Sequence, residues 1–176
     1  YQTNVVANVL LHDRLRQARW LKKYVHVGTT EVYGSTSGVI GESAPLNPST
    51  PYAASKAAAD LFLFTLVKNF DFPMVMIRST NVYGAHQQPW KIIPKSVISL
   101  KLGRAIALHG GGVAVKSFIH IRDVSRGELL AMERGEVDGY PSVFYSALTS
   151  TRPTWLPNKL AKILVQIGLE KEPALG

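Results

Sequence analysis

Residues 51–79 read PYAASKAAADLFLFTLVKNFDFPMVMIRS, and this stretch decides the fold. Its first part carries helix-start signals. Ser49 or Thr50 can cap the orphan N–H groups, and Pro51 suits the first helical position, where its missing N–H is no loss. A long helix is predicted from about Pro51 to Asn69. Met74 to Ser79 follows as a short apolar strand. Upstream, Lys23 to Thr29 reads as a second buried strand, with Tyr24, Val25, His26 and Val27 leading to Gly28. A polar loop with Pro45 and Pro48 joins that strand to the helix. Strands alternating with helices predict an α/β domain built on a parallel sheet.

The flanks extend the pattern. Val5, Val6, Val9, Leu10 and Leu15 recur at helical spacing, so the chain opens within a helix that has neither a cap nor a preceding strand. Ile92 to Leu102 is expected to be helical, bounded by Gly103. Strands are expected at Ala105 to His109 and Ser117 to Ile121, around a tight turn at Gly110-Gly111-Gly112. Val124 to Glu133 reads as a helix, Val143 to Leu148 as a strand and Leu156 to Ile167 as a last helix.

The bulk properties exclude several classes. The chain has 176 residues, 46% hydrophobic and 18% charged, enough for one domain with a sizeable core. No apolar run approaches the roughly 18 residues of a membrane span, and no secretory leader opens it. Cysteine is absent, which removes disulfides and thiol chemistry. The five histidines, His12, His26, His86, His109 and His120, lack ligand spacing, so no metal site is expected. The net charge is +8. Its densest group, Arg14, Arg16, Arg19, Lys22 and Lys23, is read as a solvated helix face. Nucleic-acid binding would rest on charge alone and is not expected; a small phosphate-bearing ligand is compatible with the excess.

Three groups could carry chemistry. Tyr52 and Lys56 are four apart at the helix start, on one face and one turn apart. A free tyrosine titrates near about 10. A neighbouring ammonium and a helix N-terminus both favour phenolate, so Tyr52 is expected to be shifted down and to act as a base. A bare Tyr-x-x-x-Lys match also arises by chance, and its bland reading is a surface tyrosine beside a solvated lysine. The second group, Gly28-Thr29-Thr30-Glu31-Val32-Tyr33-Gly34, lies just past the carboxyl end of the first strand, where open parallel sheets bind ligands. The third, Ser79-Thr80-Asn81-Val82-Tyr83-Gly84, holds the same place after the second strand.

These segments resemble the extended short-chain dehydrogenases that modify nucleotide sugars, closest to the 4,6-dehydratase group. The resemblance rests on Val27 to Gly34, Pro51 to Asp60, Arg78 to Gly84, Trp90 to Pro94 and Ser117 to Val124, in family order. It implies a Rossmann-like parallel sheet with NAD as cofactor and a nucleotide-diphosphate sugar as substrate. Residues 1–84 would be the C-terminal half of the NAD-binding domain. Residues 85–176 would mix remaining Rossmann elements with part of a sugar-nucleotide lobe. Position by position, Tyr52 resembles the catalytic base, and Lys56 its ribose-binding partner. Thr29 resembles the hydroxyl bonded to the sugar's 4-OH, and Glu31 the base for the C5 proton. Ser79 falls among the cofactor contacts; Asn81, Lys91 and Lys116 fall among the substrate contacts. Thr30 departs from the dTDP-glucose pattern, which has Asp there as the acid for the leaving hydroxyl. Lys116 stands where an arginine often meets phosphate, keeping the charge without the bidentate fork.

No Gly-x-x-Gly-x-x-Gly turn between strand and helix occurs in the 176 residues. The pyrophosphate of the cofactor would rest on such a turn. The expectation is therefore a partial chain, with its N-terminal strands and glycine-rich loop missing, inactive by itself. A cytoplasmic homodimer is expected, joined through the helices at 1–18 and 51–69. The competing readings are a 4-epimerase or decarboxylase of the same family, or a non-catalytic fragment or assembly module.

Overall fold

The computed structural model describes residues 1–36, 43–106, 116–135, 137 and 141–144. Helix α1 (Ala7–Leu15) follows a π-helical segment at Gln2–Val6. Then come β1 (Tyr24–Thr29), a 3-10 turn (Thr30–Tyr33), α2 (Pro51–Phe70), β2 (Met74–Ser79) and β3 (Asn81–Tyr83). The order continues with α3 (Ile92–Lys101), β4 (Phe118–His120), α4 (Ile121–Arg134) and β5 (Pro141–Phe144).

β1, β2 and β5 form a sheet in that order, with both pairings parallel. The β1–β2 register runs from Tyr24 opposite Met74 to Thr29 opposite Ser79, so both strands end at the same level. β3 and β4 form a separate two-stranded sheet. Every residue of β2 is buried, as a central strand covered on both faces requires. Met74 and Met76 pack with Leu63, Leu66 and Phe72 on the α2 side. Val75 and Ile77 pack with Ala131 of α4 on the other side. The period of two along β2 thus feeds two apolar layers, giving the helix–sheet–helix sandwich of a Rossmann-like domain. The chain divides into two compact units: Tyr1–Val82 with Phe118–Ser146, and Tyr83–Ser117 with Ala147–Gly176.

The local signals for α2 hold. Thr50 is the cap, its hydroxyl accepting from the Ala53 N–H at 3.1 Å, and Pro51 opens the helix. The helix stops at Asp71, which takes the left-handed conformation (φ 50) that ends a helical run. Two expectations need correction, the start of α4 and the strand at Ala105. In the N-terminal helical segment the buried side chain is His12, while Val6 and Leu10 are exposed. The inward face is a polar ladder: Asn4 donates to the Ser55 hydroxyl of α2 (3.0 Å), Asn8 to the Asn4 carbonyl, and His12 Nδ1 meets the Asn8 carbonyl at 2.6 Å. α4 begins at Ile121 rather than Val124, because His120 caps it by accepting from the Arg122 N–H. Ala105 and Ile106 are not in a strand. Residues 107–115, with the glycine triplet, and the helix expected at 156–167 lie outside the described residues, as do residues 145–148 of the last expected strand.

Candidate active site

The carboxyl ends of β1 and β2 lie side by side, and the residues that follow them are tied together. Thr29 ends β1 in extended backbone, and its hydroxyl accepts from the Glu31 N–H at 3.3 Å. Thr30 donates to the Ser79 carbonyl at the end of β2, at 3.5 Å. Glu31 therefore sits in a four-residue 3-10 turn that crosses the mouth of the sheet. Gly34 closes the turn at φ 71, and a Cβ there would run into the Asn47 carbonyl, so both the conformation and the space require glycine.

The start of α2 comes to the same end of β1. The Lys56 ammonium donates to the Val27 carbonyl of β1 at 3.3 Å, two residues before Thr29. Ser55 fixes the turn above it, donating to the Tyr52 carbonyl at 2.7 Å while accepting from Asn4. Tyr52 itself is 51% exposed. Partial burial, and then the negative charge of Glu31, push its hydroxyl above the ordinary tyrosine value. This reverses the shift expected from sequence. Four-residue spacing does place Lys56 on the same helix face, but its ammonium turns to a backbone carbonyl of β1. The charge felt at the phenol is a carboxylate, which disfavours phenolate.

Of the residues singled out in the sequence, Thr29, Thr30, Glu31, Tyr52, Lys56 and Ser79 lie in the first unit around these strand ends. Asn81 opens β3, two residues beyond Ser79, and is half-buried. Lys91, the residue before α3, and Lys116 belong to the second unit, and both are exposed. Among the described residues no cluster of His, Asp and Glu could hold a metal ion.

The profile of the NAD dependent epimerase/dehydratase family matches residues 1–144. The chain belongs to that family. Among curated relatives, it is 37% identical over 165 residues to the dTDP-D-glucose 4,6-dehydratase of Bos taurus, covering 93% of this chain and 44% of that protein. Among solved structures, it resembles dTDP-glucose 4,6-dehydratase from Bacillus anthracis in complex with NAD. There the TM-score is 0.83 at 30% identity, covering 98% of this chain and 54% of that one. It also resembles the UDP-glucuronic acid 4-epimerase from Bacillus cereus in complex with UDP-glucuronic acid and NAD. That match has a TM-score of 0.82 at 25% identity, covering 93% and 52%. The chain thus spans about half the length of these epimerase/dehydratase relatives.

Beneath the site of this family member lies a buried ionic group that pattern reading passed over. Asp60 of α2 and Arg78 of β2 are 0% and 1% exposed. Arg78 Nη2 and Nε both donate to Asp60 Oδ2, at 2.8 and 3.0 Å, and His26 Nε2 lies 3.2 Å from Oδ1. Arg78 Nη1 donates to the Tyr33 hydroxyl at 2.6 Å, and the guanidinium lies over the Tyr33 ring at 5.0 Å. The Arg78 stem passes β1 at Gly28, where a Cβ would approach its Cγ to 3.1 Å. A signal was available: Arg78 is the only charge in the run MVMIRS, and Asp60 interrupts an apolar helix face. Buried charges are paired, so each implied the other.

Proposed function

We propose that this chain carries the catalytic residues of a nucleotide-sugar 4,6-dehydratase, with a dTDP-hexose as the substrate class and NAD as the cofactor. The carrying observation is that Glu31, in the turn after β1, exerts its charge on the Tyr52 hydroxyl at the start of α2. Two acid–base groups meet at the end of β1, and a dehydratase needs two because protons leave two different atoms. The relatives named dTDP-glucose dehydratase support the same reading.

The residues present suit the ribose end of the cofactor. Lys56 has three N–H donors and gives one to Val27, leaving donors that can face a ribose diol. Tyr52, one helical turn before it, is half-exposed. NAD held there by Lys56 and Tyr52 would supply the hydride acceptor for oxidation at sugar C4 and the hydride for C6. Tyr52 takes the proton of the 4-OH, which Thr29 orients. Its raised pKa makes the phenolate scarce, so the cationic surroundings it acquires with cofactor must bring it down. Glu31 removes the C5 proton, acidified by the new 4-keto group, and returns it after the elimination. The C6 hydroxyl leaves as water, taking a proton relayed from solvent through a water held by Thr30, because a threonine hydroxyl is a poor acid by itself, while Tyr52 gives its proton up to solvent. Asn81, Lys91 and Lys116 would contact the diphosphate and nucleotide, and Ser79 the cofactor. The first unit would be the dinucleotide-binding half, and the second would contribute to the sugar-nucleotide lobe.

A homodimer through α1 and α2 fits the apolar side chains these helices leave exposed, with Leu10 64%, Leu11 51% and Leu61 55% exposed. The 4-epimerase reading shares the first step and has the Bacillus cereus neighbour in its favour. It leaves Glu31 without work, because epimerisation at C4 needs no C5 base. A full-length form supplied with NAD and dTDP-glucose decides between them. The 4-keto-6-deoxy product in the proton NMR spectrum is expected; a C4 epimer without water loss would overturn the dehydratase reading.

A further inference from the structure

Glu31 is held from both sides of its turn. In front, its own N–H is bonded to Thr29. Behind, Tyr33 reaches into the core, 3% exposed, and its hydroxyl accepts from Arg78 Nη1 at 2.6 Å. Arg78 has little freedom to follow a displaced partner. Its Nε and Nη2 are both engaged on Asp60 Oδ2, and a planar guanidinium with two donors fixed has the third direction set. Asp60 lies one turn beyond Lys56 on α2, eight residues from Tyr52. The chain Glu31–Tyr33–Arg78–Asp60 therefore links the turn bearing one acid–base group to the helix bearing the other. His26 of β1 completes the group from the strand that ends in Thr29.

We infer that Tyr33 is a positioning residue: its hydroxyl, through the Arg78–Asp60 pair, sets Glu31 against the helix that carries Tyr52. This deepens the dehydratase reading and rests on it for the step affected, removal of the C5 proton. Other holds on the turn are the Thr30 bond to the Ser79 carbonyl, apolar packing of Val32 and Tyr33 on Ala57 of α2, which is not directional, and two backbone bonds. The Val32 carbonyl accepts from the Asn47 N–H at 2.9 Å, and the Gly34 N–H bonds the Glu31 carbonyl at 3.0 Å. Both are backbone bonds local to the turn and its return loop. Neither reaches α2.

Tyr33→Phe keeps the ring and removes only the anchoring oxygen, so it tests position rather than packing. Two measurements separate the inference from the function it refines. On the 176-residue protein, amide hydrogen exchange of Gly34 and Asn47 should speed up about tenfold, as loss of one charge-assisted hydrogen bond allows. Met76 and Ile77 in β2 should exchange as before. Unchanged exchange at the turn, or an equal rise in β2, would overturn the inference. In the NAD-loaded full-length enzyme with dTDP-glucose, the variant should oxidise C4 near the parent rate but lose water about tenfold more slowly. NADH absorbance would then build up transiently. A variant with the parent's partition between oxidation and water loss sinks the inference even if the turn has loosened. A parent enzyme that yields no keto-deoxy sugar instead defeats the dehydratase reading, and the exchange result still decides whether Tyr33 holds the turn.

Discussion

Asp60→Ala should be among the most damaging substitutions in the first unit, and its cost follows from the geometry. The aspartate receives two donors from Arg78 on one oxygen and lies within reach of His26 on the other. Alanine removes all three contacts and leaves a guanidinium that is 1% exposed without its counter-charge. Stranding one member of a buried ion pair costs about 3–5 kcal/mol. That is a large share of the roughly 5–15 kcal/mol that holds a typical domain together. With a urea slope of about 2 kcal/mol per molar, the unfolding midpoint should fall by about 2 M. Removing both charges is a different perturbation. Asp60→Leu with Arg78→Met leaves no buried ion, only the Tyr33 hydroxyl and His26 to find new partners, at about 1–3 kcal/mol. The double variant should therefore be more stable than Asp60→Ala. Urea titrations followed by far-ultraviolet circular dichroism on Asp60→Leu, Arg78→Met and the double variant close the cycle, with Asp60→Ala beside them. Additive losses, or an Asp60→Ala cost below about 1 kcal/mol, would show that the pair is not the buried clamp its distances indicate.

Other outcomes follow from the same geometry. In a full-length form, Tyr52→Phe should abolish C4 oxidation, whereas Glu31→Gln should spare it and stop water loss; a Glu31→Gln enzyme making keto-deoxy product at the parent rate would exclude the C5-base role. Glu31→Gln should also lower the Tyr52 pKa, because the carboxylate is one cause of its upward shift, and ultraviolet titration against a Tyr52→Phe control reads the change. Burial, opposed by the bond to Asn8 and aided by His26, holds His12 below its ordinary 6.5. The unfolded chain then takes up the proton first. Stability from His12 is complete above about 6.5 and declines as pH falls through that value toward the folded pKa. His12→Phe should flatten this limb of the midpoint-versus-pH curve, and an unaltered slope would refute the assignment. The sequence holds no Gly-x-x-Gly-x-x-Gly motif to seat a pyrophosphate, so calorimetry on the 176-residue protein should find NAD binding far weaker than micromolar. Micromolar binding by a monodisperse monomer would contradict that.

The parallel sheet and the long helix were legible in the sequence because their signals are local. Thr50 and Pro51 start α2 with their own side chains, and Met74–Ile77 is an unbroken apolar run, as a strand covered on both faces favours. The strand ends carrying Thr29 and Ser79 could be located for the same reason. What the residues at those ends do to one another was settled by tertiary structure. Spacing put Lys56 near Tyr52, but spacing carries no information about β1. The Val27 carbonyl takes the ammonium, and burial, followed by the charge of Glu31 from the 3-10 turn, reverses the shift at the phenol. Hydrophobic periodicity located the N-terminal helix but could not register its inner polar ladder of Asn4, Asn8 and His12, whose partners are distant or backbone groups. Asp60 and Arg78 stand 18 residues apart, with nothing local to pair them. Only the stacking of α2 on β2 brings their charges together, and removal from water then makes each depend on the other.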